Sequence, residues 1–160
     1  MPLIAISTEK DKVMNELVQR VISTGEGLDT LPVRFAAGTI FAAHGAQKLF
    51  GWFGGYGLEG AGQWMESIGL APGTLMALLA GSAEFFGGLL LILGLLVRPS
   101  ALVLAITMVV AIFVVHVQNG FFMASNGYEF ALALLAVSAA LAIRGGGSYS
   151  LDGALARRSA

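Results

Sequence analysis

Six polar side chains lie inside or beside long apolar stretches of this 160-residue chain, and three of the six carry a charge. A charged residue in an apolar span is costly unless it is paired, so such residues are candidates for a binding site or a proton relay. Clustered carboxylates and histidines suit proton transfer, and lysine or histidine can donate hydrogen bonds to a polar ligand head. The candidate ligand-binding residues are His44, Gln47, Lys48, Glu84, His116 and Glu129.

Long apolar runs predict the helices that carry these residues. Hydrophobic residues make up 56% of the chain and charged residues 12%, compared with about half and about a quarter in soluble domains. About twenty apolar residues cross a bilayer, and four runs approach this length: 33–53, 73–97, 99–117 and 126–143. The sequence therefore predicts an all-α integral membrane protein, with a four-helix bundle over residues 33–145.

The basic residues predict the orientation of these spans, because lysine and arginine collect in cytoplasmic loops. They precede the first run, separate the second from the third, and follow the fourth: Arg20, Arg34, Arg98, Arg144, Arg157 and Arg158. Both termini are therefore expected inside the cell, an N-in/C-in topology. Residues 146–160 are expected to form a cytoplasmic tail.

Two segments outside the spans have their own expected structure. Residues 1–32 form an N-terminal segment in which 8–23 reads either as a short amphipathic helix on the inner membrane surface or as a disordered tail, followed by a linker over 25–30. The loop 51–72 is rich in glycine and aromatic residues. Aromatic side chains of this kind favour the membrane interface, so we expect an outer loop with a short helix near 59–68.

Helical arithmetic places three charges at one level of the bundle. Lys48, Glu84 and Glu129 each lie fourteen or fifteen residues from the arginine at the cytoplasmic end of their own run. At about 1.5 Å of rise per residue this is about 21–22 Å. His44 and Gln47 share the helix face of Lys48 at the i, i+3, i+4 spacing. The pattern predicts a small polar chamber that opens outward beneath the aromatic loop.

Two interpretations of this cluster stay open. In the first, Lys48 pairs with Glu84 or Glu129 only to fix the register of the helices. In the second, two carboxylates against one lysine require a protonated glutamate or a histidine partner, which suits a ligand or proton site. Of the histidines, His44 taken alone favours a helix contact over a ligand, and His116 has an alternative explanation as an interfacial residue.

Other chemistries are disfavoured by what the chain lacks. It has no cysteine, which removes thiolate catalysis and thiolate-held iron–sulfur clusters. His44 and His116 are expected about 12 Å apart in depth, too far to ligate one haem iron. No Glu-x-x-His pair or phosphate-binding loop occurs, and a net charge of −1 gives no basic face for nucleic acid. We therefore expect no metal site and no cofactor of the chain's own.

Two blocks of sequence resemble the DoxX family of small bacterial membrane proteins. The first comprises Arg34–Gly38 and His44–Gly55 and continues through the loop to Pro72, and the second is Ala83–Gly88, followed by Arg98. With the four spans, the resemblance covers about residues 33–145. It implies a four-helix bundle in the bacterial inner (plasma) membrane. Among the candidate residues, the resemblance implies that His44, Lys48 and Glu84 match the polar positions of the family.

The same resemblance implies a function. The family takes its name from a subunit linked to quinone-dependent oxidation, so we expect a subunit of, or an accessory to, a quinone-linked membrane oxidoreductase. Quinone is then the candidate ligand, and a protein redox partner supplies the electrons. The alternatives are a small-solute permease, a lipid-interacting membrane protein and an assembly or scaffold factor, and a homo-oligomer is compatible with each.

Overall fold

The structure is a computed structural model that describes residues 9–22, 24 and 27–158. This part of the chain forms seven α-helices and no strand, which confirms the all-α class. The helices are α1 (Glu9–Ile22), α2 (Thr30–Phe50), α3 (Gly57–Ser67), α4 (Gly73–Leu93), α5 (Val97–Val110), α6 (Glu129–Arg144) and α7 (Leu151–Arg158). A π-helical turn, Ala111–His116, and a 3-10 turn, Val117–Asn119, continue α5.

Two of the described helices are long and apolar enough to cross a bilayer. They are α4 and the continuous helix Val97–Asn119, and they coincide with the second and third predicted spans. The first predicted span corresponds to α2, which is interrupted by several polar side chains. The fourth corresponds to α6, whose 16 residues are fewer than the twenty or so that a crossing takes. The membrane-capable pair agrees with an integral membrane protein, and the four-span topology stays a prediction.

The N-terminal part of the description is helical. α1, Glu9–Ile22, coincides with the predicted amphipathic helix over 8–23 and not with the alternative disordered tail. Residues 8 and 23 of that prediction, and residues 25–26 of the predicted linker, lie outside the described residues. In the loop 51–72, α3 coincides with the short helix expected near 59–68.

α2 and α4 pack backbone against backbone. A Cβ at Gly45 would lie 2.3 Å from the Phe85 nitrogen, and a Cβ at Gly88 would lie 2.5 Å from the Ala42 nitrogen. Small residues allow helices to approach this closely, and a larger residue at either glycine would separate them. The close approach brings the polar residues near the end of α2 next to the middle of α4.

The larger of the two apolar clusters in the described residues joins α2, α4, α5 and α6. Its buried members include Phe41, Leu91, Leu104, Leu134 and Leu141. The turn 94–96 between α4 and α5 lies at one end of this core, which we call the tail end. The loops 51–72 and 120–128 lie at the opposite end, which we call the loop end.

The tail end is closed by a segment that the sequence did not predict to pack there. The Asp152 carboxylate accepts hydrogen bonds from the backbone N–H groups of Leu96 (2.8 Å), which directly precedes α5, and of Val97 (2.9 Å), its first residue. The Arg34 guanidinium, 1% exposed, donates through Nη2 to the Tyr149 carbonyl at 2.7 Å. We call residues 145–153 the tail clasp. Arg34, expected at the cytoplasmic end of the first span, is buried beneath it.

Candidate functional site

An ion pair joins α2 to α4 in the loop-end half of the molecule. Lys48 Nζ lies 2.6 Å from Glu84 Oε2, and the side chains are 25% and 6% exposed respectively. The glycine contact between the helices makes this possible, since a Cβ at Gly81 would lie only 3.2 Å from the Lys48 Cβ. The sequence left the partner of Lys48 open between two glutamates, and the structure pairs it with Glu84.

A cavity of about 780 Å³ opens beside this pair. Its volume falls within the range of about 300–1,000 Å³ that is typical of small-molecule sites. Most of the lining is apolar, from α2, α3, α4, α5 and α6, and four lining side chains are ionisable: His44, Lys48, Glu84 and His116. Four of the six predicted site residues therefore share one cavity. An apolar chamber with a few convergent polar groups is the usual form of a ligand site.

His44 presents its imidazole to the cavity from one turn before Lys48. Its ring centroid lies 6.4 Å from that of Phe130 on α6, and the side chain is exposed. Within the described part of the chain, no protein group forms a hydrogen bond with either ring nitrogen. Both nitrogens are therefore available to a ligand.

His116 reaches the same cavity from the end of the π-helical turn. Its Nδ1 lies 2.9 Å from the Asn126 carbonyl oxygen. A carbonyl only accepts, so Nδ1 donates this bond, and a neutral ring leaves Nε2 as an acceptor. A π-helical turn inside an α-helix frequently marks a functional site, and here it ends at His116 itself.

Gln47 and Glu129 lie outside the cavity lining. Gln47 Nε2 donates to the Phe53 carbonyl at 3.3 Å and so holds the loop that follows α2. Glu129 Oε1 accepts from the Met123 N–H at 2.6 Å, which fixes the loop 120–128 at the start of α6. The expectation that Glu129 points into the chamber is wrong, because its carboxylate binds a backbone group of its own loop.

The structure also places residues at the cavity that the sequence did not assign to it. Trp64, expected at the outer interface, lines the cavity from α3, and so do Thr107 and Asn126. Thr107 lies within a long apolar run, and no sequence pattern marks it as a site residue. Its hydroxyl donates a hydrogen bond to the Val103 carbonyl of the same helix. Trp52 and Phe53, expected to roof the chamber, do not line it. In the described part of the chain, no three His, Asp or Glu side chains form a group that could hold a metal ion.

The helices that carry the cavity correspond to a known family. The DoxX family profile matches residues 30–117, from α2 to the turn that follows His116. The chain belongs to the DoxX family. The matched region contains all four ionisable residues of the cavity, whereas Glu129 follows it. The family resemblance noted in the sequence is confirmed.

DoxX relatives occur among curated bacterial proteins. A Bacillus subtilis (strain 168) protein named "Putative oxidoreductase CatD" is 34% identical over 125 residues, covering 78% of this chain and 85% of its own length. Two Haemophilus influenzae proteins, each named "Uncharacterized protein", are 40% identical over 85 residues and 32% identical over 130 residues. These alignments cover 51% and 80% of this DoxX chain, and 63% and 83% of the relatives. No solved structure matches the chain.

Proposed function

We propose that this protein is an inner-membrane subunit of, or accessory to, a quinone-linked oxidoreductase, and that its cavity binds the quinone. The observation that carries the proposal is the Lys48–Glu84 pair at the wall of a largely apolar cavity. A quinone has the complementary chemistry, because its ring and tail are apolar and its two carbonyl oxygens accept hydrogen bonds. The B. subtilis relative, whose name contains the word oxidoreductase, supports the same class.

The cavity residues suit distinct tasks toward such a head group. The Lys48 ammonium has three N–H donors, of which one faces Glu84 and the others remain for a carbonyl oxygen. His44, which has no hydrogen-bonding partner among the described residues, supplies a second donor. His116 Nε2 accepts a hydrogen bond from the hydroxyl of a reduced ring, and Glu84 is positioned to exchange protons through Lys48. A bound quinone would supply two-electron, two-proton oxidation–reduction chemistry.

We assign electron donation to a partner protein. The chain has no cysteine, so it cannot hold a thiolate-ligated cluster or exchange disulfides. Its role in the proposal is to bind and orient the quinone and to hand over protons. We expect it to work within an assembly and not as an enzyme by itself.

Extraction of the purified protein tests the proposal. The full chain, purified in mild detergent, is extracted with organic solvent and its quinone content is measured by mass spectrometry. We expect near-stoichiometric quinone in the wild type and at least a fivefold loss in Lys48→Met. Glu59→Gln, a substitution at an exposed position of α3 outside the cavity lining, is the matched surface control and keeps its quinone.

The folding of each variant is checked by circular dichroism and size-exclusion chromatography, so that a lost site is separated from a lost fold. Absence of quinone from the wild type, together with no uptake of added decylubiquinone, would contradict the proposal. The Lys48–Glu84 pair would then be a structural link between helices, and transport or scaffolding would become the leading function.

A further inference from the structure

The mouth of the cavity is marked by residues that line it and also face the exterior. Leu79 on α4 and Ile106 on α5 are 56% and 57% exposed, and both line the cavity. Val103 and Val110 of α5 share both properties. Because a lining residue with about half its surface exposed lies at a rim, one opening of the cavity is a gap between α4 and α5.

On α4 the rim residue Leu79 lies in the loop-end half of the helix. Farther toward the tail end, a Cβ at Gly87 of α4 would lie 3.2 Å from the Leu104 side chain of α5, so the helices are in contact there. α4 ends at Leu93, and α5 begins four residues later at Val97. Along α4, the contact with α5 at Gly87 therefore lies on the tail-end side of Leu79, where the cavity reaches the exterior.

The surroundings of the gap decide what can enter it. Its two sides are the helices that are long and apolar enough to cross a bilayer. The four rim residues named above all have aliphatic side chains. In a membrane such a rim faces acyl chains, and a polar solute would have to leave water to reach it. A molecule already dissolved in the bilayer meets no such barrier.

We propose that the cavity is entered sideways from the bilayer, through the gap between α4 and α5, by a lipid-soluble molecule with a polar head and a long apolar tail. The head reaches Lys48 and Glu84, and the tail stays between Leu79 and Ile106. This inference rests on the proposed quinone function and deepens it: the ligand is a tailed quinone taken from the membrane. Leu79 and Ile106 are then the residues that determine access and tail preference.

The chain offers a built-in reporter for the test. It has two tryptophans, of which Trp64 lines the cavity and Trp52 does not. In a Trp52→Phe background, quinone binding is followed as quenching of the remaining tryptophan by the full chain in lipid nanodiscs. The probes are decylubiquinone and its tailless ring, 2,3-dimethoxy-5-methylbenzoquinone, with concentrations expressed per lipid so that partitioning cancels.

The gap is narrowed with the double variant Leu79→Phe, Ile106→Phe. The matched control is Leu78→Phe, Leu102→Phe, at exposed positions on the same two helices that do not line the cavity. We expect saturable quenching by decylubiquinone, at least tenfold weaker binding or slower association in the narrowed variant, and a change of less than twofold in the control. The tailless ring binds at least tenfold more weakly than decylubiquinone.

The outcomes separate the two proposals. If decylubiquinone binds, Lys48→Met abolishes the binding, and the narrowed variant behaves as the control does, sideways entry is wrong and the head-group site stands. If the tailless ring binds as well as decylubiquinone, the tail has no place in the gap, and this inference is overturned alone. If neither quinone gives saturable quenching of the wild-type background, both proposals fail.

Discussion

Glu84 and Lys48 form one ion pair but are unequally buried, since Glu84 retains 6% side-chain exposure and Lys48 retains 25%. The buried carboxylate of Glu84 therefore depends on the Lys48 ammonium to compensate its negative charge, whereas the ammonium also faces the cavity. This asymmetry makes Lys48 the member of the pair that a ligand can reach. It also predicts that removing Lys48 and removing Glu84 lower the free energy of unfolding by different amounts.

Lys48→Met is expected to lower the free energy of unfolding by about 3 kcal/mol, the lower end of the range for a broken buried ion pair, because it leaves a buried carboxylate without a counter-charge. Glu84→Gln is expected to cost less, since the lysine it leaves behind keeps access to the cavity. Chemical unfolding in detergent, followed by circular dichroism, measures both. Lys12→Met, at an exposed site on α1, serves as the control, and equal losses for Lys48→Met and Glu84→Gln would contradict the asymmetry.

Gly45→Ala is expected to disrupt the contact between α2 and α4. The new Cβ would meet backbone atoms of α4, including the Phe85 nitrogen at 2.3 Å, and backbone cannot move aside as a side chain can. We expect a loss of at least about 3 kcal/mol, the upper part of the range for overpacked cores.

Gly87→Ala is the matched comparison, because the atoms nearest its Cβ would all belong to the Leu104 side chain, the closest at 3.2 Å. A shift of a few tenths of an ångström accommodates it, so we expect a change within about 1 kcal/mol. Thermal unfolding of the two variants side by side measures the difference. Similar melting temperatures for the two would show that α2 and α4 are not in backbone contact.

Asp152→Ala is expected to destabilise the protein through α5. It removes the acceptor of the Leu96 and Val97 N–H groups, and loss of such a helix cap costs about 0.5–2 kcal/mol. Asp29→Ala provides a control of identical chemistry, because Asp29 is exposed and pairs with Arg144 at 2.9 Å. Exposed pairs contribute about 0–1 kcal/mol. Unfolding curves that show a larger loss for Asp29→Ala would contradict the capping role.

Glu129→Ala is expected to loosen the loop 120–128 without unfolding the helices. The carboxylate accepts the Met123 N–H at 2.6 Å, so its removal exposes that amide to solvent. Hydrogen–deuterium exchange with mass spectrometry should show at least fivefold faster exchange in a peptide covering this loop. Glu59→Ala should leave the same peptide unchanged, and unaltered exchange in Glu129→Ala would show that the carboxylate does not hold the loop.

Much of the helical framework follows from the sequence because apolar runs end where charges and glycines begin. The second span, read as 73–97, ends in the structure at Leu93, since Gly94 takes a positive φ of 70° and stops the helix. Charge alone predicts a longer span, because the next charged residue after Glu84 is Arg98. The tail clasp escaped prediction for a different reason: Asp152 caps α5 across 55 residues of sequence, and no local pattern announces such a contact.

The site was predictable as a set of polar side chains but not as a set of contacts. Helical rise placed Glu84 and Glu129 at the same level, so it could not choose between them as the partner of Lys48. The choice depends on the backbone contact of Gly45 with α4, which moves Lys48 toward Glu84. His116 ends a π-helical turn, which the apolar run around it does not predict.

The tail clasp sets an order of events during synthesis. A ribosome delivers α5 before Asp152, and the 55 residues between Val97 and Asp152 take about 3–11 s at about 5–20 residues per second. Throughout that interval the first amides of α5 have no protein carboxylate to bind. The start of α5 is therefore capped by a segment made after α6, and a nascent chain arrested before residue 152 would hold every cavity-lining residue yet lack the cap on α5.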